Sequence, residues 1–230
     1  MTEGLNSMSE FRFSEQKVVS LRHKIADDIR KAIFEGKVKP GERIRESDIS
    51  KQMGISRSPV REAMLLLEQE GLLLSHPYKE TVVAEFSTKE VIEVLIPMRL
   101  TLELFSVREG MPDMSEDDIG QLSAIVADMR ASADRGDLSG VVQSDLAFHR
   151  HLVFLSKYSI MNNIWSSISN LVRLHFTLQT QIYKNLDELC VKHEKLLETI
   201  KSGDVELVCL ELSRHIGEQN FVQLAKAPES

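Results

Sequence analysis

The chain has 230 residues, 42% of them apolar, which is enough for one large domain or two modest ones, each with its own core. No run approaches the ~18 to 20 apolar residues that cross a bilayer, and the N-terminus lacks the basic-then-apolar order of a secretory signal, so a cytoplasmic protein with no membrane partner is expected. The net charge of -7 argues against nucleic acid, yet it is unevenly spread: 14 basic against 13 acidic residues in positions 1–84, and 14 against 22 in the remainder. Between Lys37 and Arg61 basic residues outnumber acidic ones seven to three, so a local positive surface survives in an acidic protein.

In chain order, the first dozen residues read as a frayed tail. Ile25, Ile29, Ala32 and Ile33 then recur at helical spacing from Leu21, and Gly36 should end that helix. Lys39-Pro40-Gly41 is a turn. Ser47 to Met53 reads as a short helix broken by Gly54, and Ser58 to Glu70 as a second one with Val60, Ala63, Met64 and Leu67 facing inward, ended by Gly71. LLLSHPYKETVVAEF changes period: two β-prone runs around a polar, Pro-containing turn predict a hairpin over Leu72 to Phe86.

Everything after Ser87 is helical in pattern. Val91, Leu95, Met98, Leu102 and Phe105 form an apolar stripe, with Pro97 placed to kink it. Ser115 and Asp118 are spaced as a capping box, and breaks fall at Arg135-Gly136-Asp137 and Ser202-Gly203-Asp204. Cys190 and Cys209 lie among apolar helix formers and are expected as buried free thiols. The fold class is therefore mainly α: an N-terminal winged helix-turn-helix (1–86) with a small β-hairpin wing, then an all-α antiparallel bundle of about six helices (87–230).

Two constellations carry chemistry. The first is ESDISKQMGISRSPVREAMLLLEQEGLL: a short helix, a glycine turn and a second helix that begins with Ser56, Arg57, Ser58 and Arg61. The N-terminal end of such a helix enters the major groove, where Arg57 and Arg61, four apart on one face, suit bidentate reading of guanine. Ser56 and Ser58 suit phosphate or flexible base-edge contacts. The alternative is that both arginines are solvated and ion-paired, with Glu62 at hand.

The second lies in the bundle. Asp145 and His149 interrupt the apolar stripe Leu138, Val141, Val142, Phe148, Leu152; His193 interrupts Leu189, Leu196, Ile200; His215 falls in register with Val208, Leu212 and Val222. A buried, uncompensated carboxylate costs several kcal/mol, about what a divalent cation would offset. Three imidazoles and a carboxylate suit zinc, with nickel or another transition ion as alternatives. The alternative for any single histidine is a hydrogen-bonded core residue. His151, two residues from His149, points elsewhere, and His23, His76 and His175 lack partners by spacing.

GISRSPVREAMLLLEQEGLL resembles the signature of the GntR family of regulators, and the pattern from about Val18 to Ala225 resembles its FadR-like branch with an FCD-type C-terminal domain. The resemblance places Arg57, Ser58, Pro59 and Arg61 on recognition-helix positions, Arg45 on the approach to the first helix of the motif, and the hairpin as a minor-groove wing with Lys79 as its contact. Two departures bear on the transfer. Ser47 stands where some members have a base-contacting arginine, and Glu80 stands where the wing usually has glycine. The family's metal-binding FCD domains carry an Asp, a His four residues on and two later histidines, matching Asp145, His149, His193 and His215. They are associated with small organic acids, for which Arg99 and, as a weaker candidate, Arg173 would be effector-binding residues; Arg99 could instead pair with Glu103.

The resemblance thus implies a ligand-responsive, operator-binding homodimer with a small carboxylate effector and no enzymatic role. Two other readings stay open: a metalloenzyme, because a metal with a free position could activate water, and a pure metal sensor. No general base at fixed spacing, nucleophile motif or phosphate loop favours the enzyme.

Overall fold

The periodicity from Leu21 becomes α1 (Leu21–Phe34) in the computed structural model, which describes residues 21–75, 80–178 and 185–224. Helix α1 buries Ile25, Ala26, Ile29 and Ile33 against α3 (Arg57–Gln69), whose inward residues are Val60, Ala63, Met64 and Leu67, the four that the spacing selects. Between them, α2 (Glu46–Met53) stops at Gly54, whose φ of 66° is a left-handed cap conformation that glycine adopts without a Cβ penalty.

The hairpin forms from β2 (Leu73–Ser75) and β3 (Thr81–Val83), paired antiparallel with Leu73 opposite Val83. A strand absent from the sequence reading, β1 (Arg43–Ile44), adds to the other edge of β3 and makes a sheet of order β1-β3-β2. The Pro-containing turn of the hairpin lies outside the described residues.

Ser87 opens the bundle with a capping box to Glu90 over α4 (Thr88–Glu90). A π-helical turn, Val91–Leu95, follows and runs without a break into α5 (Ile96–Gly110), so Pro97 lies just past the π-turn of a continuous helical run. The wider turn also changes the phase of the apolar stripe. Val91 and Leu102 are buried, but Met98 and Phe105 are 49% and 40% exposed, and α5 instead buries Ile96, Arg99, Glu103, Ser106 and Val107.

After a 3-10 turn come α6 (Glu116–Asp134), with the expected Ser115–Asp118 capping box, α7 (Leu138–Phe154), α8 (Ser159–Leu178), α9 (Leu186–Lys201) and α10 (Val205–Leu224). Gly110 seats α5 against α7: a Cβ there would come within 2.2 Å of the Leu155 backbone, so the close crossing requires glycine. Cys190 and Cys209 are buried free thiols.

The N-terminal core includes one residue of the bundle, Leu174 of α8. Nearby, the Arg173 guanidinium lies 4.3 Å above the Phe34 ring, and Asn170 donates to Glu70 at 3.3 Å. Helix α8 therefore touches the N-terminal head.

Candidate metal centre and nucleic-acid interface

Asp145 and His149 are one helical turn apart on the inner face of α7, and His193 of α9 and His215 of α10 reach the same point. All four are buried, and one potential ligand atom from each lies within 4.8 Å of the others. Four donors around a tetrahedral zinc stand about 3.4 Å apart, so the set would draw together by about an ångström at its widest to reach coordination distance.

The ring orientations are fixed from behind. The Nδ1–H of His193 donates to the Leu189 carbonyl at 2.9 Å, which leaves Nε2 as the inward atom. The Nδ1–H of His149 donates to Glu103 Oε2 at 2.6 Å, which does the same for its Nε2. Glu103 in turn accepts from Arg99 Nε at 2.7 Å, so a buried guanidinium, carboxylate and imidazole form a chain from α5 to α7. Phe148 closes the set edge-on, with ring centroids 5.7 Å from His149 and 5.3 Å from His193.

Two features of this packing need a positive centre. Nε2 of His193 lies 3.1 Å from Oδ1 of Asp145, and with its proton on Nδ1 that contact sets a lone pair against a carboxylate unless a proton or a cation lies between. Oδ2 of Asp145 and Nε2 of His149 are also buried with no hydrogen-bond partner among the described residues.

Electrostatics keeps the groups in the state a cation requires. Burial would push the Asp145 carboxyl up, but the close approach of the His193 ring, then His149 and Arg99, hold it below the usual carboxylate range. Glu103 follows the same pattern: burial opposes ionisation, and His149 and Arg99 more than offset it. Burial, then Arg99, lowers His149; burial, then the neighbouring His193 and His149, lowers His215 well below the ordinary imidazole value. We take both carboxylates as ionised and both of these imidazoles as neutral at pH 7, since neutral imidazole and ionised carboxylate are the ligating forms.

Of the two arginines expected beside an effector, Arg99 is at the centre, tied to Glu103 as the alternative foresaw. Arg173 is not: it sits over Phe34 at the joint with the head. His151 faces Asp118 at 3.3 Å, away from the cluster. Glu103 is the contributor that the spacing did not single out. A cavity of about 10 Å³ adjoins the cluster, lined by Asp145, His193, Met129, Val141, Leu189 and Phe176.

In the head, Ser56 caps α3 in an extended conformation without using its hydroxyl on the helix, and Arg57 and Ser58 are exposed in the first turn; Pro59 is half-buried. Arg61 is exposed on the next turn, but its Nε donates to Glu46 at the start of α2 at 3.0 Å, and not to Glu62, which faces Arg22 at 3.9 Å. Arg45, exposed, stands just before α2. Among the described residues neither Arg45 nor Arg57 has an ion-pair partner. In the wing, Glu80 pairs with Arg43 of β1 at 2.6 Å; Lys79 lies outside the described residues.

The family model "Bacterial regulatory proteins, gntR family" matches residues 21–83, and the FCD domain model matches residues 94–218. The chain is 27% identical to the HTH-type transcriptional regulator YdhC of Bacillus subtilis over 78% of its length and 80% of the relative. It is 24% identical to the HTH-type transcriptional regulator McbR of Escherichia coli over 91% of its length and 95% of the relative. A solved GntR transcriptional regulator from Rhodococcus sp. RHA1 superposes with a TM-score of 0.80 at 21% identity, covering 90% of this chain and 98% of that one.

Proposed function

Because the chain belongs to the GntR family of bacterial regulatory proteins, with a helix-turn-helix head followed by an FCD domain, and is a DNA-binding transcriptional regulator, we propose that a small carboxylate held at a divalent metal in the bundle sets its operator affinity. The observation that carries the metal is the His193 Nε2 to Asp145 Oδ1 approach of 3.1 Å with the ring proton committed elsewhere. Asp145, His149, His193 and His215 would hold the ion, zinc by ligand type, with nickel or another transition ion able to replace it. The bound ion would supply a Lewis-acidic position that takes a carboxylate oxygen. Arg99, whose field reaches Asp145, His149 and His215, is the residue to pair with a second acidic group.

The cavity beside the cluster is about the size of one water, so an organic acid enters only if its wall moves. Phe176 of α8 is part of that wall, and two residues earlier on α8 Leu174 is buried in the head's core. A shift of Phe176 would therefore be felt by the head, which gives effector and operator a shared element whose position both can bias.

In the head, Arg57 and Arg61 would read base edges, Arg45, Ser56, Ser58 and the α3 N-terminus would hold phosphate, Pro59 would set the helix start, and Lys79 would serve the wing. A homodimer would present two such heads to a two-fold operator. The exposed apolar residues Val94, Met98, Phe105, Tyr158, Ile160 and Ile164, on the π-turn, on α5 and around the start of α8, offer a face for the second copy. Among the described residues no helix is long and apolar enough to cross a membrane.

The test measures metal content and operator retention on one preparation. The native chain should purify with about one divalent ion and shift the DNA beside its own gene, with a retention that changes on adding carboxylic acids. His193→Ala should lose the ion and the response to acids while still retarding DNA at low salt. Full metal content in His193→Ala would defeat the cluster, and absence of any DNA retention would defeat the regulator.

A further inference from the structure

The small cavity beside the metal cluster does not end in packed core on the side of the head. Two of its walls, Val142 of α7 and Phe176 of α8, are also walls of a second cavity of about 290 Å³. This antechamber lies between Leu138 and Ser139 at the start of α7, Phe176 late in α8, and Phe34 to Gly36 at the end of α1 and the turn after it. Val142 and Phe176 are the two side chains common to both spaces, so they divide a chamber reaching the head from the one that touches Asp145 and His193.

The two spaces differ in what they can hold. The inner one, about 10 Å³, has room for little more than a ligating atom. The outer one approaches the roughly 300 Å³ of the smaller ligand pockets and takes an apolar lining from Phe34, Leu138, Val142 and Phe176. Its charged residues are already engaged: Glu35 pairs with Lys37 at 2.5 Å and with Lys31 at 3.8 Å, and the Arg173 guanidinium lies 4.3 Å over the Phe34 ring. Neither calls for a charged group on a ligand, whereas the two phenyl rings and Leu138 favour hydrocarbon.

We propose that the antechamber holds the body of the effector, a carboxylic acid whose carboxylate end passes between Val142 and Phe176 to the metal and whose other end is apolar and uncharged. The site rests on the metal-held carboxylate proposed above and extends it to the far end of the same ligand. A change of the Phe176 side chain joins the two cavities. Because Phe34 is the last residue of α1, the bound body touches the head itself, which couples ligand to operator by direct contact as well as through α8.

Metal-loaded full-length protein is titrated calorimetrically with acetate and, separately, with hexanoate, which share a carboxylate and differ only in methylenes. Hexanoate should bind about tenfold tighter or more, since burial of each methylene adds affinity. Ser139→Phe, at an exposed position, fills the antechamber, and Phe34→Ala removes one of its walls. Both variants should keep the ion content of the native chain and lose about tenfold in hexanoate affinity, with acetate affinity changed by no more than about twofold. Equal affinity of the loaded native chain for the two acids, binding of neither, or an unchanged hexanoate affinity in either variant would overturn the antechamber while leaving the metal in place. A native chain that takes up no ion would overturn the metal reading, and the antechamber with it.

Discussion

The head and the bundle use charge in opposite ways. In the head, Arg45, Arg57 and Arg61 are exposed, and the one ion pair among them, Arg61 with Glu46, is open to water. In the bundle, Arg99, Glu103, Asp145, His149, His193 and His215 are almost completely dry and bonded from behind. Exposed pairs are weak and exchange readily, which suits a surface that must hand its cations to phosphate. Buried pairs are costly to form and costlier to break, which suits a centre that must hold donors at fixed positions. Perturbing each kind should therefore give effects of different size on different observables.

The largest effect is expected from Glu103→Gln. It keeps the shape but removes the charge bonded to Arg99 and to His149, so the buried guanidinium loses its carboxylate partner. Loss of one partner of a buried pair costs about 3–5 kcal/mol, and loss of a residue that orients a metal-bound histidine typically costs about 10–100-fold in metal affinity. Calorimetric unfolding and competition with a chelator measure the two, while low-salt DNA retention should persist. Native stability and metal affinity in this variant would mean that the dry chain from α5 to α7 is packing without electrostatic consequence.

Acid comes next. His149 and His215 have lowered values in the folded state, so below the ordinary imidazole value near pH 6.5 the unfolded chain binds protons that the folded one refuses. Stability is then lost as pH falls from about 6.5 toward those lowered values. Asp145 and Glu103 are also lowered, and their contribution, present above the ordinary carboxylate values, is lost as pH falls further. In metal-stripped protein, tryptophan emission from Trp165 should report a thermal midpoint that drops from pH 7 to pH 5. Metal should oppose the drop over the upper part of that range. A midpoint flat across it would show that the histidines take up protons inside the fold without penalty.

Much of this was legible before any coordinates, and the reason is periodicity. Asp145, His149, His193 and His215 stand out because helical spacing assigns them to buried stripes where ionisable groups are expensive; the same spacing picks Val60, Ala63, Met64 and Leu67 out of α3. What was not legible depends on geometry that no spacing records. The turn at Val91–Leu95 is wider than an α-turn and rotates everything after it, so Met98 and Phe105 face outward although their stripe points in. Strand β1 is two residues long, too short to show an alternation. Glu103 reads as a surface partner of Arg99 until the crossing at Gly110 brings α5 against α7 and puts His149 within reach. Arg173 could not be assigned to the joint from spacing, because its neighbour Phe34 is more than a hundred residues away.

On the exposed side, Arg57→Ala should leave folding and metal content unchanged and reduce discrimination between operator and unrelated DNA by about 1–3 kcal/mol if the side chain reads a base. Equilibrium binding to both DNAs at several salt concentrations separates the two possible roles. A uniform loss on both DNAs, with a shallower salt dependence, would make Arg57 a phosphate contact and leave base reading to Arg61.

The smallest effect, and the one that sharpens the comparison most, is expected from Glu46→Gln. Arg61 is exposed and Glu46 partly so, and a surface pair of this kind contributes little, so the melting temperature should hardly move. The substitution does remove an acid from the face proposed to meet DNA and frees Arg61 from a bond that would compete with phosphate. Affinity for unrelated DNA should rise at low salt, and the slope of log affinity against log salt should steepen by about one unit, the release of one further counterion. The opposite result is equally informative. If operator binding falls while unrelated DNA is bound as before, Glu46 holds Arg61 at the angle needed to meet a base. The head would then share the bundle's strategy of fixing a charged side chain from behind, through water-exposed bonds in place of buried ones.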